Sequence, residues 1–391
     1  MKPHIAVVIH RYGKDVMGGA EKHAEQAVAV LKDKFKITVI TTTALDYITW
    51  KNHYPQGNGF EENVEIIRFP VKKEREINIF NSYSEIFFSK QLKTSSEEED
   101  WFNLQGPECP KLVEYLKNNY NQFDCFVFFT YLYYTTVYGL PTVADKSILI
   151  PTSHNEPPIY LQKIKDVFSK TWGLLFNTDS EREMVYRIHP EATKRSVIGG
   201  IYIECPENIK KLSKPFDGKY CLYFGRLERG KGIYELFDNF LALKTIYPDL
   251  QLVCLGKSNP EIKPRMGIVF PGFVSDKEKW AYIHHSEFIV MPSQLESLSM
   301  TLLEGFAAGK PALVNANCDV LVDHCRRSGA GMWYTDYNEF IAEAEYLMNS
   351  SNLRRKMGKN GVDYVKRYYS MKRISGIYTD FINSLIESRA Q

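Results

Sequence analysis

The fold is decided by the stretch Met291-Pro-Ser-Gln-Leu-Glu-Ser-Leu-Ser-Met-Thr-Leu-Leu-Glu-Gly-Phe-Ala-Ala-Gly-Lys-Pro311. An apolar run over residues 287–291 leads into it and predicts a buried strand. A turn with proline and serine follows, and then an apolar helix that stops at Gly309, a residue type that often ends helices. Strand, polar turn and helix in this order are part of a βα repeat, which predicts a parallel sheet.

Two carboxylates stand eight positions apart in this stretch, Glu296 in the turn and Glu304 in the helix. If the helix begins near Ser299, its free backbone N–H groups lie between the two acids and, with the helix dipole, favour an anion. This arrangement suits a sugar–diphosphate–ribose ligand, because each carboxylate can accept hydrogen bonds from a pair of hydroxyls. The alternative is two surface glutamates that flank a core helix.

A second anion site is predicted earlier in the chain. The strand candidate 219–224 is followed directly by the glycine-rich turn 225–232, and a helix begins at Ile233. Because the turn carries Arg226 and Lys231 and opens a helix, its charges and backbone N–H groups favour an anion. The alternative is a structural pair of cations on a surface turn.

Together these stretches resemble retaining glycosyltransferases of the GT-B fold, in particular glycosyltransferase family 4 (group 1). The acids match the family's E-x7-E signature, and the turn 225–232 matches its Gly-Arg-x-x-x-x-Lys-Gly motif. The resemblance covers nearly the whole chain and is strongest over residues 219–311. It implies an α/β protein with two Rossmann-like, doubly wound parallel-sheet domains that face a cleft.

The resemblance also implies how a donor is bound. Arg226 and Lys231 would neutralise the donor diphosphate, Glu296 would bind the sugar hydroxyls, and Glu304 the ribose diol. Backbone amides at the helix start would hold the phosphates: those of Ser299, Met300 and Thr301. No metal ion or other cofactor is then required, and a UDP sugar is slightly favoured over a GDP sugar.

The base site is predicted from residues 269–275, which resemble the family's Pro-Gly-x-Val segment. Main-chain groups around Phe273 and Val274 would pair with the base. Residues 317–323 depart from the family's Gly-Gly-x-x-Glu, so the sequence does not indicate which residues contact the far side of the sugar.

The first half opens with a βαβ pattern: an apolar run at 5–9, a loop at 10–19, a helix at 20–32 and a strand at 37–43. Its glycines do not spell G-x-G-x-x-G, so a dinucleotide fingerprint is absent. Gly18 and Gly19 resemble the family's glycine pair beside the donor diphosphate and acceptor. The alternative is a flexible loop that starts a helix.

A polar turn over residues 152–158 follows the strand candidate 147–151, where ligands bind in open α/β sheets. It resembles the family's Thr-x-His-Asp/Glu loop and implies that His154 lies beside the transferring sugar, with Asn155 and Glu156 as neighbours that orient it. The alternative is a turn histidine bonded to backbone. The catalytic residues implied are His154, Arg226, Lys231 and Glu296.

Four segments are predicted. Residues 1–200 form the acceptor-side domain, 201–218 a linker, 219–370 the nucleotide-sugar domain, and 371–391 a helix that crosses back to the first domain. Residues 44–110 read as an irregular, partly acceptor-side insertion, in which the acidic run 97–100 is a solvated helix start.

Composition narrows the function classes. A net charge of +2 gives no indication of nucleic-acid binding, and no nucleic-acid partner is predicted. Seven scattered cysteines without C-x-x-C argue against a disulfide framework or zinc site. The start lacks the apolar region of a signal peptide, which predicts a cytoplasmic protein. Basic residues between 354 and 373 are interpreted as a solvated face, or as a peripheral contact with the inner face of an anionic membrane.

The predicted function is metal-independent, retaining transfer of a sugar from a nucleoside-diphosphate sugar to a glycan or lipid-linked glycan, as in polysaccharide biosynthesis of the cell envelope. Three alternatives stay open: a glycosidase, a sugar-nucleotide epimerase of the same fold, and a non-catalytic carbohydrate-binding protein. A glycosidase would use its two carboxylates as acid and base and has no need of the cationic turn.

Overall fold

The computed structural model describes residues 2–257, 262–263 and 265–390. The chain divides into two units: unit 1 comprises Met1–Ile201 and Lys372–Gln391, and unit 2 comprises Tyr202–Met371. Most of the segment predicted as a linker therefore groups with unit 2.

Unit 1 is built on an eight-stranded sheet, in which every described pairing is parallel except that of β3 with β4. The strand order is β3-β4-β2-β1-β5-β6-β7-β8, and the strands are β1 (His4–Val8), β2 (Lys36–Thr42), β3 (Gly57–Glu61), β4 (Val64–Phe69), β5 (Cys125–Phe129), β6 (Ser147–Ile150), β7 (Gly173–Phe176) and β8 (Ser196–Ile198). The central strands are buried because their apolar runs are covered on both faces of the sheet.

Helices cover this sheet and connect its strands. They are α1 (Gly19–Leu31), α2 (Ile77–Ser89), α3 (Ser95–Gln105), α4 (Pro110–Asn118), α5 (Tyr134–Gly139), α6 (Gln162–Lys170) and α7 (Asp179–Ile188). A capping box between Thr94 and Glu97 begins α3, which confirms the helix start predicted at the acidic run. The prediction that this run is solvated is wrong at Glu98, which is buried and accepts the backbone N–H of Lys163.

The interpretation of residues 44–110 as irregular is wrong, since they contain a hairpin and two helices. The two-residue turn between β3 and β4 has positive φ at Glu62 and Asn63. Such turns are usually signalled by Asn-Gly or Asp-Gly, so the sequence carried no clear hairpin signal. In α2, Phe87 is buried, and Phe80, Tyr83 and Phe88 pack against the same core while partly exposed. These aromatic residues recur at helical spacing, a pattern that the interpretation as irregular overlooked.

Unit 2 is built on a six-stranded sheet whose described pairings are all parallel. The order is β11-β10-β9-β12-β13-β14, and the strands are β9 (Lys219–Phe224), β10 (Leu250–Leu255), β11 (Ile268–Gly272), β12 (Ile289–Met291), β13 (Ala312–Asn315) and β14 (Gly331–Tyr334). The helices are α8 (Ile233–Ile246), α9 (Asp276–His285), α10 (Met300–Ala307), α11 (Asp319–Ser328), α12 (Tyr337–Asn349) and α13 (Ser351–Tyr368).

The C-terminal helix, α14 (Met371–Ala390), packs within unit 1. Tyr378 is buried there and its hydroxyl lies 2.6 Å from His23 Nε2 of α1, while Arg389 pairs with Asp145. Across the described part of the chain, no helix combines the length and apolar character needed to cross a bilayer.

Candidate functional site

The candidate site in unit 2 lies where the strand order of the sheet reverses. From β9 the chain continues to β10 on one side, while β12 lies on the other side of β9. Because all three strands are parallel, the turns that follow β9 and β12 leave the same carboxyl edge side by side. Ligands of doubly wound sheets bind at such a switch point.

Close backbone packing joins these two turns. Gly232 has φ 73°, and a Cβ atom there would lie 2.5 Å from the carbonyl oxygen of Pro292. A larger residue would therefore be strained and would also push the turns apart. On the β9 side, the Tyr223 hydroxyl donates to the Arg226 carbonyl at 2.7 Å and fixes the start of the glycine-rich turn.

Lys231 and Glu296 meet across the two turns. Lys231 Nζ lies 2.7 Å from Glu296 Oε1, although the residues are 65 positions apart in the chain. Their side chains are 23% and 15% exposed, so both are sheltered but reachable from solvent. The structure thus brings together a predicted phosphate-binding cation and a predicted sugar-binding acid.

Arg226 lies in the same turn but in a different environment. Its guanidinium is 3.3 Å from the Glu228 carboxylate, and its side chain is 57% exposed. The two cations predicted for the diphosphate thus differ in exposure, since Lys231 is sheltered and Arg226 is largely exposed.

The helix predicted near Ser299 begins where expected. Ser299 precedes α10 in a left-handed conformation, with φ 63° and ψ 78°, and Met300 and Thr301 form the first turn. A serine in this region is uncommon, and such strain is frequent at ligand-binding turns.

A buried histidine, not anticipated from the sequence, holds this turn in place. His324 Nε2 lies 2.9 Å from the Leu298 carbonyl oxygen, and Nδ1 lies 3.0 Å from the Tyr364 hydroxyl. Burial lowers the pKa of His324 to about 4, so the ring is neutral near pH 7. Since a carbonyl only accepts, we assign the proton to Nε2, and the Tyr364 hydroxyl donates to Nδ1.

The second predicted acid, Glu304, also contacts a lysine. Lys279 Nζ of α9 lies 2.7 Å from Glu304 Oε1, with the two side chains 24% and 20% exposed. Lys279 was missed in the sequence because it belongs to a separate helix. The nearest signal was the capping box of Ser275 and Glu278, which fixes where α9 begins.

The residues predicted for the base lie between β11 and α9. Phe273 is 73% exposed and Val274 is half-buried. A large exposed aromatic ring beside the carboxyl edge offers a flat apolar surface for a base.

In unit 1, strained threonines follow two neighbouring strands. Thr130 after β5 has φ 66°, and Thr152 after β6 has φ 51°. A positive φ is costly for a β-branched residue and persists where the surroundings require it. His154 lies half-buried in the second of these turns. Its predicted neighbours, Asn155 and Glu156, accept hydrogen bonds from Tyr160 and Tyr131, respectively.

A buried carboxylate supports the turn that carries His154. Glu181, in the first turn of α7, accepts backbone N–H groups from Ser153 and from Asn177. Burial raises the pKa of Glu181 to about 8, although both N–H groups lower it. Its sequence position indicated a helix start and gave no sign of this contact.

The first loop of unit 1 contains a buried charged cluster. Glu21 pairs with Arg11 and with His10, whose Nε2 lies 3.0 Å from Glu21 Oε1. Burial alone would raise the pKa of Glu21, but His10 and Arg11 lower it to about 2. A Cβ atom on Gly18 would lie 2.0 Å from Glu21 Oε2, so this glycine makes room for the carboxylate, and Gly19 begins α1.

Comparison with known structures identifies the fold. A sucrose-phosphate synthase from Thermosynechococcus elongatus is 15% identical, with a TM-score of 0.74 over 99% of this chain and 100% of that chain. An Anabaena protein solved in complex with UDP and glucose is 13% identical, with a TM-score of 0.70 over 98% and 100% of the two chains. The predicted fold class is confirmed: the chain has two Rossmann-like parallel-sheet domains of the GT-B type.

Sequence comparison gives a more local similarity. An uncharacterized glycosyltransferase of Methanocaldococcus jannaschii is 27% identical over a match 178 residues long that covers 41% of this chain and 47% of that protein. The match thus spans about half of that relative's length. Residues 205–363, which lie within unit 2 and include both of its site turns, match the family model described as glycosyl transferases group 1.

Proposed function

We propose that this protein is a retaining glycosyltransferase that moves a sugar from a nucleoside-diphosphate sugar to a glycan or lipid-linked glycan, without a divalent metal ion. The observation that carries the proposal is the 2.7 Å contact between Lys231 and Glu296 at the switch point of unit 2. It places a cation suited to phosphate beside an acid suited to sugar hydroxyls. The group 1 match over the same unit supports this assignment.

Departure of a nucleoside diphosphate is the main chemical problem in such a transfer. Negative charge grows on the β-phosphate as the glycosidic bond breaks, and donors fixed beforehand around it lower the barrier. We assign this role to Arg226, Lys231 and the amides of residues 299–301. The strained Ser299 and its brace through His324 support a preorganised cradle.

The remaining donor contacts follow from the resemblance. Glu296 binds the sugar hydroxyls, Glu304 the ribose diol, and His154 the transferring sugar. The departing phosphate accepts the acceptor's proton, so no protein nucleophile is required and the anomeric configuration is retained. The Anabaena protein's complex with UDP and glucose supports a UDP sugar as the first donor to test.

We assign the acceptor to unit 1, where the strained turns after β5 and β6 carry Thr130, Thr152 and His154.

We also propose a cytoplasmic enzyme with peripheral membrane contact through α13. Five cations on that helix are exposed: Arg355, Lys356, Lys359, Lys366 and Arg367. Arg354 is instead used inside unit 2, 2.6 Å from Glu287. Equal binding to anionic and neutral vesicles would exclude the membrane contact.

A panel of nucleotide sugars tests the proposed reaction. We expect a thermal shift and slow, acceptor-free hydrolysis with at least one UDP or GDP sugar. Lys231→Ala should lower that turnover by about a hundred- to a thousand-fold, as expected when one charge-stabilising donor is lost. Lys219→Ala is the matched control, because Lys219 is exposed at the opposite end of the same strand.

Three results would contradict the proposal. Near-wild-type turnover in Lys231→Ala would show that Lys231 does not stabilise the departing diphosphate. An isomerised nucleotide sugar formed without acceptor would favour the epimerase. Release of free sugar from a simple glycoside, with no nucleotide present, would favour the glycosidase.

A further inference from the structure

Lys279 occupies a position that the donor contacts above do not use. Its ammonium group lies 2.7 Å from Glu304 Oε1 and 2.9 Å from Asp276 Oδ1. Asp276 is largely exposed, whereas Glu304 and Lys279 are sheltered. Of the two carboxylates that contact Lys279, Glu304 is therefore the one whose orientation is more restricted.

The place of Lys279 in the fold links two parts of the donor site. The base residues Phe273 and Val274 end the loop after β11, and Ser275 caps α9 directly after them. Lys279 is one helical turn further along. It thus joins the base loop on one side to Glu304 of α10 on the other.

The charge state of Lys279 suits a permanent contact. Burial alone would lower its pKa, but the carboxylates of Glu304 and Asp276 raise it above the ordinary value. The lysine is consequently a cation throughout the neutral range. Its hydrogen bond to Oε1 fixes the rotamer of the Glu304 carboxylate before any ligand arrives.

We propose that Lys279 is a positioning residue that orients Glu304 toward the 2′ and 3′ hydroxyls of the donor ribose and thereby sets a preference for ribonucleotides over 2′-deoxyribonucleotides. This inference rests on the proposed function, since it assumes that Glu304 binds the ribose. A site built to bond a hydroxyl rejects an analogue without it, because a sheltered carboxylate then loses a partner. Loss of Lys279 removes this contact from Glu304, and we expect the discrimination to fall with it.

The experiment is isothermal titration of the full chain with UDP, GDP and ADP, each beside its 2′-deoxy form. We expect the wild type to bind the ribo form of its preferred nucleotide at least about tenfold more tightly than the deoxy form. Lys279→Met keeps the apolar stem and should weaken ribo binding about tenfold while leaving deoxy binding unchanged. Lys279→Arg should restore the preference, because it returns a donor to Glu304.

Two controls separate positioning from damage. Lys277→Met changes an exposed lysine of the same helix and should leave both affinities unchanged. Inorganic pyrophosphate, which probes the Arg226 and Lys231 side of the site, should bind Lys279→Met as it binds the wild type.

The outcomes distinguish the inference from the proposed function. In one outcome, the wild type prefers the ribo form and Lys279→Met binds that form equally or more tightly. This result overturns the role of Lys279 but not the proposed function. A wild type that binds one of the nucleotides without a ribo preference overturns this inference and the assignment of Glu304 to the ribose diol, but not the transfer reaction. A wild type that binds none of the three overturns the proposed function and this inference together.

Discussion

The carboxyl edges of the two sheets use charge in opposite ways. In unit 2, Lys231 pairs with Glu296, and both side chains are partly exposed. In unit 1, Glu21 is buried with Arg11 and His10, beneath the first loop. Partly exposed charges can exchange one partner for a ligand at little cost, whereas a buried cluster loses a closely paired charge when one member is removed.

This difference separates binding from scaffolding. The charges of unit 2 lie on turns that close backbone contacts hold in place, such as that of Gly232 with Pro292. In unit 1 the buried acids are themselves the supports: Glu21 fixes the first loop, and Glu181 fixes the turn at Ser153. Substitutions at the two edges should therefore affect different measurements.

The largest effect on stability is expected at Glu21. Glu21→Ala leaves Arg11 and His10 buried without their carboxylate, which should lower the free energy of unfolding by about 3–5 kcal/mol. Urea denaturation followed by circular dichroism measures this. Glu25→Ala is the control, since its pair with Lys22 is exposed and should contribute less than about 1 kcal/mol. Equal losses of unfolding free energy in the two variants would show that the buried cluster of Glu21 contributes no more to stability than an exposed ion pair.

Acid should destabilise both units through one buried histidine in each. Burial lowers the pKa of His23 in unit 1 and of His324 in unit 2 from 6.5 to about 4. The unfolded chain takes up a proton near pH 6.5 while the folded chain resists until about pH 4. The contribution of each histidine is therefore full above pH 6.5 and falls as the pH drops through this window, by roughly 3 kcal/mol. In unit 1, Glu181 acts in the opposite direction between about pH 8 and 4.5, because its pKa is raised on folding, so the effect of His23 is the difference between the wild type and the variant.

Unfolding free energies measured at several pH values test this, with His23→Gln and His324→Gln as variants. Each should flatten the dependence by up to about 1.4 kcal/mol per pH unit between pH 6.5 and 4. The carboxylate of Glu21, whose pKa falls from 4.5 to about 2 on folding, acts mainly between pH 4.5 and 2, so slopes measured above pH 4.5 report the histidines. A slope that neither variant changes would show that the histidines are not the acid-sensitive groups.

The sequence predicted those parts of the site whose structure is determined by residues close together in the chain. The turn 225–232 combines its glycines and cations within eight positions, and β9 has the same bounds, 219–224, as the predicted strand. Short stretches of sequence are enough to predict such turns, helix starts and buried strands, because glycines, capping residues and apolar runs are local signals.

The contacts that the sequence did not predict join distant elements. Lys279 meets Glu304 from another helix, and His324 reaches Leu298 across 26 positions. Glu181 looks like an ordinary helix-start acid, yet its carboxylate reaches Ser153. Which polar groups meet is decided by how helices pack on the sheet, and a single sequence carries no local signal for that packing.

The smallest effect on stability is expected at the pair Lys231–Glu296. Because both side chains are partly exposed, their coupling in a double-mutant cycle of Lys231→Met and Glu296→Gln should be below about 1 kcal/mol of unfolding free energy. Each single variant should nevertheless lower turnover of the nucleotide sugar by about a hundred-fold or more, since the lost group acts on the leaving phosphate or the sugar. A coupling near 3 kcal/mol would instead make this pair a structural support like Glu21, and the two edges would no longer differ in kind.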